Sequence, residues 1–461
     1  MSMGEQLRRD MAKYLRSDPE YYGRYGEVEI KKLRVKIPDD HICLGVSSPD
    51  EDAEPVTFKW DGESIRMFMI APTGIGKTTF LKAFVIDQLR RRFGMPTLVI
   101  DPKATDYNRL NVKQTDNDII ERLNICGFTP EAYNPTIIKP RCLMLPDERI
   151  PRNTLPFKLN INDFFMLERA FSNSSLNAFF DVEKKTNATG RALNRVLNMI
   201  YNPSEIPQQF KGRKIDTMLF FDLIKYDIDI LGNNPATKRN VTHALQMAAE
   251  TRKNELALGD DDNVNILQEM NDNMVILKIG ANVGKNITLN VMGEILLGQI
   301  FMDRQRFSQN ERHVLESPPV IALDEGDTVL RPIKQFSPMK DMFQELVMRG
   351  RQHGISVFMT GLDPELLDKH VLQQCQYIVT AKPIMPAQKQ ILTNWGVTPD
   401  VMEDLLKLEL SKDNRRIELA MLTYDTITHG EFYTFYGNGS LTTNIRESQQ
   451  TTAISIKSDR T

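Results

Sequence analysis

The chain has 461 residues, of which 41% are hydrophobic and 26% are charged, and its formal net charge is −3. This length predicts two or three structural units with a sizeable core. The slightly acidic balance excludes a surface that is basic throughout, but not local basic patches. The N-terminal residues are too charged for a secretory signal peptide. The sequence also has no run of about 18 apolar residues of the kind that forms a membrane helix. We therefore expect a cytoplasmic protein, recruited to a membrane only through a partner.

The first 60 residues predict a small β-rich lead-in. Glu5–Arg16 has a charged helical pattern, and alternating apolar residues at 28–37 predict two short strands. Two further strands are expected at Ile42–Val46 and Pro55–Trp60. We expect residues 1–60 to pack on the main domain rather than to fold alone.

A phosphate-binding loop follows at Ala71-x-x-x-x-Gly76-Lys77-Thr78, with alanine in place of the usual first glycine. An apolar run precedes it and a helical pattern follows, as such loops require. Lys77 is expected to lie along the β- and γ-phosphates of ATP, and the Thr78 hydroxyl to ligate Mg²⁺. The predicted nucleotide-binding residues are Thr73, Gly74, Ile75, Gly76, Lys77, Thr78 and Thr79.

The next apolar run, Thr97–Ile100, ends in Asp101 and completes a strand–helix–strand unit. Asp101 stands at a strand end that faces ligands in such folds, although it also fits a simple loop start. Residues 115–262 then change character. Helical patterns alternate with polar loops, which predicts a mostly helical insertion without further βαβ units.

The core pattern returns at residue 263. A strand is predicted at Asn273–Ile279 and a helix at 286–307, and the apolar run Pro319–Leu323 ends in Asp324 and Glu325. An apolar strand that ends in Asp-Glu is typical of a Walker B motif. Asp324 is then the expected Mg²⁺-side carboxylate, and Glu325 the group that polarises the attacking water.

The last part of the core predicts a helix at Pro338–His353 and strands at Ile355–Thr360 and Tyr377–Thr380. A helix pair is expected at 395–410, before closing strands at 417–428 and 431–436. The predicted fold class is α/β: a P-loop NTPase core of mainly parallel strands at 61–114 and 263–440, with the insertion and the lead-in attached. Residues 441–461 predict a disordered tail.

These motifs, in this order, resemble the FtsK/HerA superfamily of DNA-translocating ATPases, and most closely its HerA and type IV secretion branch. The similar segments are APTGIGKTT, VIDPK, PPVIALDEGD and LVMRGRQHGISVFMTGLDPELLDKHVLQQCQYIV. The resemblance runs from about Ile42 to Tyr436, but the insertion matches only in position and character.

The resemblance implies a RecA-like core that works as a ring, usually a homo-hexamer, and moves double-stranded DNA while it hydrolyses Mg-ATP. By this resemblance Lys77 and Glu325 are catalytic, and Asp324 and Thr78 hold the metal. Arg349 or Arg351 is the arginine finger, which contacts the γ-phosphate of the nucleotide bound to a neighbouring subunit. A guanidinium suits that role because it can bridge two phosphate oxygens.

One departure concerns the sensor strand. The family usually has glutamine after the threonine that ends this strand, whereas here Thr360 is followed by Gly361. Thr360 or Asp363 is the candidate to replace the missing sensor.

The resemblance also implies contacts between the protein and DNA phosphates. Lysine and arginine in the pore loops of such rings track phosphates without reading sequence. The candidates, each of which also fits an ordinary surface charge, are Lys184, Lys185, Arg191, Arg195, Arg331, Lys334 and Lys340.

Three functions therefore stay open. The first is a DNA-moving ATPase for DNA transfer, packaging or processing, with a nuclease or a separate membrane channel as partner. The second is a type IV secretion-like ATPase that energises protein or pilus assembly. The third is a nucleotide-binding switch with little turnover, which the missing glutamine makes credible.

Overall fold

The computed structural model describes the following residues: 37–48, 53–103, 106–144, 152–159, 195–196, 198–200, 202–214, 217–230, 264–279, 287–329, 338–361, 369–410, 417–423 and 432–437. Several predicted parts of the chain lie outside these ranges: the first helix, the strands before residue 37, much of the insertion at 115–262, and the tail.

The described strands match most of the predicted apolar runs. In chain order they are β1 (His41–Val46), β2 (Pro55–Lys59), β3 (Arg66–Ile70), β4 (Thr97–Asp101), β5 (Thr136–Pro140), β6 (Thr154–Phe157), β7 (Val275–Lys278), β8 (Val320–Leu323), β9 (Ser356–Gly361), β10 (Tyr377–Ala381), β11 (Glu418–Thr423) and β12 (Tyr433–Gly437).

Helices connect these strands. The described α-helices are α1 (Lys77–Leu81), α2 (Asn117–Ile125), α3 (Thr217–Ile230), α4 (Ile266–Asp272), α5 (Ile287–Ser308), α6 (Gly326–Val329), α7 (Pro338–Arg349), α8 (Lys369–Gln373), α9 (Pro386–Trp395) and α10 (Pro399–Leu405). A π-helical segment, Lys82–Arg90, continues α1, and four short 3₁₀ turns lie at Arg141–Leu143, Pro203–Glu205, Gln208–Phe210 and Gly350–His353. Among the residues described, no helix has the length and apolarity needed to cross a membrane.

All described strands join one 12-stranded sheet in the order β2-β1-β12-β11-β10-β3-β9-β8-β4-β7-β5-β6. The run from β10 to β6 is parallel, and β11, β12, β1 and β2 add an antiparallel edge. The predicted class, an α/β core with a mainly parallel sheet, is therefore confirmed. The lead-in strands β1 and β2 extend this sheet through β12 instead of forming a separate layer.

The central parallel strands β3, β4, β8 and β9 are buried along their whole length and mostly apolar, because both faces of the sheet are covered there. In β3, Phe68 and Ile70 face one apolar cluster, whereas Met67 and Met69 face the other. This alternation follows from the two-residue period of a strand. The strand that feeds the phosphate-binding loop is thus fixed from both sides.

Two expectations were wrong. Residues 115–262 were expected to form a mostly helical insertion without further βαβ units, but β5 and β6 extend the parallel sheet beyond β7. Both are short, and each contains a proline, which a strand near the sheet edge tolerates. The late helix pair is also shifted, because α9 already begins at Pro386 and ends where the pair was expected to start.

Candidate functional site

The phosphate-binding loop lies at the carboxyl end of β3, between Ile70 and the first residue of α1. Gly74 and Gly76 have φ angles of 89° and 82°, in the left-handed region that suits glycine. Gly76 is the N-cap of α1, so the first backbone N–H groups of the helix face the loop. This arrangement suits an anion, because helix N-termini combine N–H donors with a partial positive charge.

Lys77 is buried and turned back onto its own loop. Its Nζ donates to the carbonyl oxygens of Ala71 (2.8 Å) and Pro72 (3.1 Å). The ammonium is therefore held at the loop by neutral acceptors, which a phosphate can replace with a charge-assisted bond. The other predicted loop residues lie around it: Ile75 is buried in an apolar cluster and Thr73 is exposed.

The two nucleotide motifs, far apart in sequence, meet directly. The Thr78 hydroxyl donates to Oδ2 of Asp324 over 2.8 Å. Asp324 follows the last residue of β8, and β9 lies between β8 and β3 in the sheet. The carboxyl ends of three neighbouring parallel strands thus bring Thr78, Asp324 and Thr360 together.

Asp324 is buried and accepts a hydrogen bond from four donors. Oδ1 accepts from the Thr360 hydroxyl (2.6 Å) and from the Glu325 N–H (3.1 Å). Oδ2 accepts from Thr78 and from the hydroxyl of Tyr107 (3.2 Å). The carboxylate is held in one orientation by this network, as a buried charge must be. Thr360, proposed as a sensor, contacts the Walker B aspartate.

Glu325 has a φ angle of 50°, which is unusual for a residue other than glycine. Its N–H also donates to the Thr360 hydroxyl oxygen over 2.9 Å. Its carboxylate forms an ion pair with Lys103, whose Nζ also lies 3.8 Å from Asp106. Burial lowers the pKa of Lys103, but these acidic groups outweigh burial and leave its pKa above the usual value.

Tyr107 and Lys103 are site residues that the sequence analysis did not single out. Both come from the segment after β4, which pairs with β8 so that Ile100 lies beside Leu323. Asp101, whose role the sequence left open, accepts the N–H of Lys103 over 3.1 Å and so shapes this segment. The advance signals were the position of Asp101 at the carboxyl end of a predicted strand and the segment VIDPK, which contains Lys103.

The oxygen groups of Thr78 and Asp324 fit a magnesium ion that arrives with a nucleotide. Mg²⁺ is commonly bound by one or two carboxylates, water and substrate phosphates rather than by a cage of protein ligands. Among the described residues there is no group of three or more His, Cys, Asp or Glu side chains that could hold a metal ion by themselves.

The two arginine-finger candidates lie on the opposite side of the sheet from the phosphate-binding loop, where the parallel strands begin. Arg349 ends α7 and pairs with Glu345 over 3.1 Å, and Arg351 pairs with Glu63 over 3.1 Å. Both side chains are more than half exposed, at 64% and 52%. They precede β9, whereas the phosphate-binding loop follows the parallel strand β3. The structure therefore keeps them away from the loop of their own chain.

The DNA-contact candidates are mostly outside the described residues: Lys184, Lys185, Arg191, Arg331 and Lys334. Arg195 is described, and its Nη2 lies 3.3 Å from Oδ2 of the buried Asp227. Burial raises the pKa of Asp227, and the charge of Arg195 opposes that rise. This contact with a buried carboxylate ties Arg195 to the fold. Lys340 lies on α7.

No protein-family model matches the sequence, and no curated protein matches it. Among solved structures, the chain is similar to the bacterial conjugative coupling protein TrwBdeltaN70, with 12% identity over 89% of this chain and 83% of that one, at a TM-score of 0.43. It is also similar to VirB4 of Thermoanaerobacter pseudethanolicus, with 13% identity over 86% and 95% of the two chains, at a TM-score of 0.48.

A third similar structure is the genome packaging NTPase B204 from Sulfolobus turreted icosahedral virus 2, in complex with ATP-gammaS. Its identity to this chain is 7%, over 81% of this chain and 97% of that one, at a TM-score of 0.34. At these identities and TM-scores the comparisons assign no activity to the chain.

Proposed function

We propose that the chain is a Mg²⁺-dependent ATPase and that ATP binds at the carboxyl end of β3. The observation that carries this proposal is the 2.8 Å bond between Thr78 and Asp324, which joins the phosphate-binding loop to the Walker B strand. Such a pair supplies the protein oxygens of a nucleotide-borne Mg²⁺ ion. A glycine-rich turn that binds no nucleotide is not expected to contact the aspartate at the end of another strand.

The residues of the site divide the work. Lys77 exchanges the carbonyls of Ala71 and Pro72 for the β- and γ-phosphates of ATP, because its ammonium group binds anionic oxygens more strongly than neutral ones. Thr78, through its hydroxyl oxygen, and Asp324, through the water shell, would hold the metal. Bound Mg²⁺ supplies neutralisation of the charge that develops on the phosphates. Glu325 orients the attacking water and accepts its proton once Lys103 has moved off its carboxylate.

We infer that the complete site lies between two subunits of a homo-oligomeric ring. The distance of Arg349 and Arg351 from their own phosphate-binding loop supports a role in the neighbouring site. Exposed ion pairs contribute only about 0–1 kcal/mol, so either arginine can leave its glutamate for a phosphate at little cost. A hexamer is the ring that the sequence resemblance implies.

The proposed work of this ring is the movement of double-stranded DNA. The support is the order of motifs in the sequence, from the phosphate loop to the RGRQHG segment before β9. Movement along DNA needs contacts to phosphates rather than to base edges, and such contacts weaken steeply with salt.

The test is the rate of ATP hydrolysis with and without double-stranded DNA, on a sample of measured oligomeric state. We expect stimulation by DNA that falls as salt rises from about 50 to 200 mM, and no turnover by a Lys77→Ala variant. Turnover that is indifferent to DNA would reject the DNA motor and favour the protein-assembly ATPase. No nucleotide binding at all would reject both.

A further inference from the structure

Tyr107 is a buried polar residue that the proposed chemistry has not yet used. It lies in the segment after β4, and only 1% of its surface is exposed. Its ring packs in the apolar cluster on one face of the sheet, and the Nζ of Lys82 lies 5.3 Å from the ring centroid. Its hydroxyl nevertheless reaches Oδ2 of Asp324 at 3.2 Å.

The direction of this hydrogen bond is fixed by chemistry. A carboxylate can only accept, so the phenol must donate. Burial first, and then the negative charges of Asp324 and Asp101, raise the pKa of Tyr107 well above its usual value. The hydroxyl is therefore a donor to Asp324.

Tyr107 is one of the donors that fix both oxygens of the Asp324 carboxylate. Oδ2 of Asp324 has two side-chain donors, Thr78 and Tyr107. Thr78 can keep its bond to Asp324 while its oxygen faces the metal, because a hydroxyl has one donor and two acceptor positions. Tyr107 is the donor to Oδ2 that has no proposed role at the metal itself, while Thr360 and the Glu325 N–H hold Oδ1.

We propose that Tyr107 is a positioning residue for the magnesium site, and that it fixes the Asp324 carboxylate in the orientation that receives the hydrated ion. This inference rests on the proposed function. Groups that orient a metal-side carboxylate without touching the metal commonly contribute about 10- to 100-fold in metal affinity. A residue that only fills the core would affect folding stability and leave the magnesium dependence alone.

The experiment compares Tyr107→Phe with Tyr436→Phe in the full-length chain. Tyr436 also donates from a phenol to a carboxylate, at 2.8 Å from Glu409, but it lies on β12, away from the site. The probe is a fluorescent, non-hydrolysable ATP analogue, whose binding is measured with EDTA and across a magnesium titration. Thermal unfolding of each variant is recorded alongside.

We expect Tyr107→Phe to need about 10- to 100-fold more magnesium for half-maximal binding, with the EDTA affinity unchanged. Tyr436→Phe should match the wild type. Equal magnesium midpoints for Tyr107→Phe and the wild type would overturn the inference. A wild type that binds the analogue equally well with and without magnesium would instead reject the proposed function.

A second variant separates a magnesium effect from a folding defect. In an Asp324→Asn background the carboxylate is already gone, so adding Tyr107→Phe should not shift the magnesium midpoint further. If the second substitution shifts it by the same factor as in the wild type, Tyr107 acts elsewhere and the inference fails.

Discussion

The parallel sheet has a carboxyl edge, where its strands end, and an amino edge, where they begin, and the two hold their charged groups in opposite ways. At the carboxyl edge, Asp324 is buried and accepts four hydrogen bonds. At the amino edge, Arg349 and Arg351 are exposed, and each faces one glutamate. A buried network is costly to rearrange, whereas an exposed pair exchanges partners readily. Under the proposed function, the first edge is the fixed half-site, and the second offers a movable charge.

The two edges are nevertheless joined through one strand. Arg66 begins β3, is 7% exposed, and donates from Nη1 to the carbonyl of Val347 near the end of α7. Burial lowers the pKa of Arg66, and the nearby charge of Arg351 lowers it further. The segment that carries the finger candidates is thus attached to the strand that feeds the phosphate-binding loop.

The largest effect is expected at the amino edge. Loss of an arginine finger costs about 10³- to 10⁵-fold in turnover because developing phosphate charge is left uncompensated. We expect this loss for Arg349→Ala or Arg351→Ala, whichever residue is the finger. Mixing that variant with inactive Lys77→Ala subunits should restore part of the activity, since some interfaces then combine an intact loop with an intact arginine.

The matched control is Arg213→Ala. Arg213 is also an exposed, ion-paired arginine, at 2.8 Å from Asp222, and its loss should leave turnover unchanged. If the Arg349 and Arg351 variants keep wild-type rates, or if no mixing ratio restores activity, the finger does not act between subunits.

The sequence predicted the strands of the parallel core well because these strands are continuous apolar runs bounded by polar residues. It also indicated Thr78 and Asp324 as parts of one site, since each follows a predicted strand. It missed β5 and β6 because short strands that contain Pro140 and Pro156 do not stand out from loops. Their place in the sheet depends on β7, which comes much later in the chain.

Tyr107 and Lys103 could not be predicted as site residues for a related reason. Their contacts with Asp324 and Glu325 exist only because β4 pairs with β8. The order of strands in a parallel sheet is set by crossover connections and tertiary packing, and the sequence pattern of one strand does not specify its neighbours. The spacing of hydrophobic residues thus predicts single helices and strands, whereas a functional site depends on which of them lie next to each other in the fold.

The next effect concerns the carboxyl edge and sharpens the comparison. Glu325→Gln keeps the shape of the side chain but removes the group that accepts a proton, so turnover should fall about 10²- to 10⁴-fold. Nucleotide binding should persist. Mixing Glu325→Gln with Lys77→Ala subunits should restore no activity, because both residues must come from the same chain. Restored activity in that mixture would place the two residues in different half-sites.

The smallest effect is expected for Thr360→Val, which removes one hydroxyl and keeps the shape of the side chain. The substitution takes a donor from Oδ1 of Asp324 and an acceptor from the N–H of Glu325. Groups that orient the catalytic carboxylates without contacting the substrate contribute about 10- to 100-fold, so turnover should fall by that factor.

Thr380→Val is the matched control for this substitution. Thr380 lies at the carboxyl end of β10, on the other side of β3, and its buried hydroxyl donates to the carbonyl of Ala381. It therefore resembles Thr360 in burial and strand position but contacts neither carboxylate. Steady-state turnover of the two variants separates a site effect from the loss of a buried hydroxyl. Equal rates would mean that Asp324 is held sufficiently by its remaining donors, and that the carboxyl edge is less dependent on each bond than its geometry indicates.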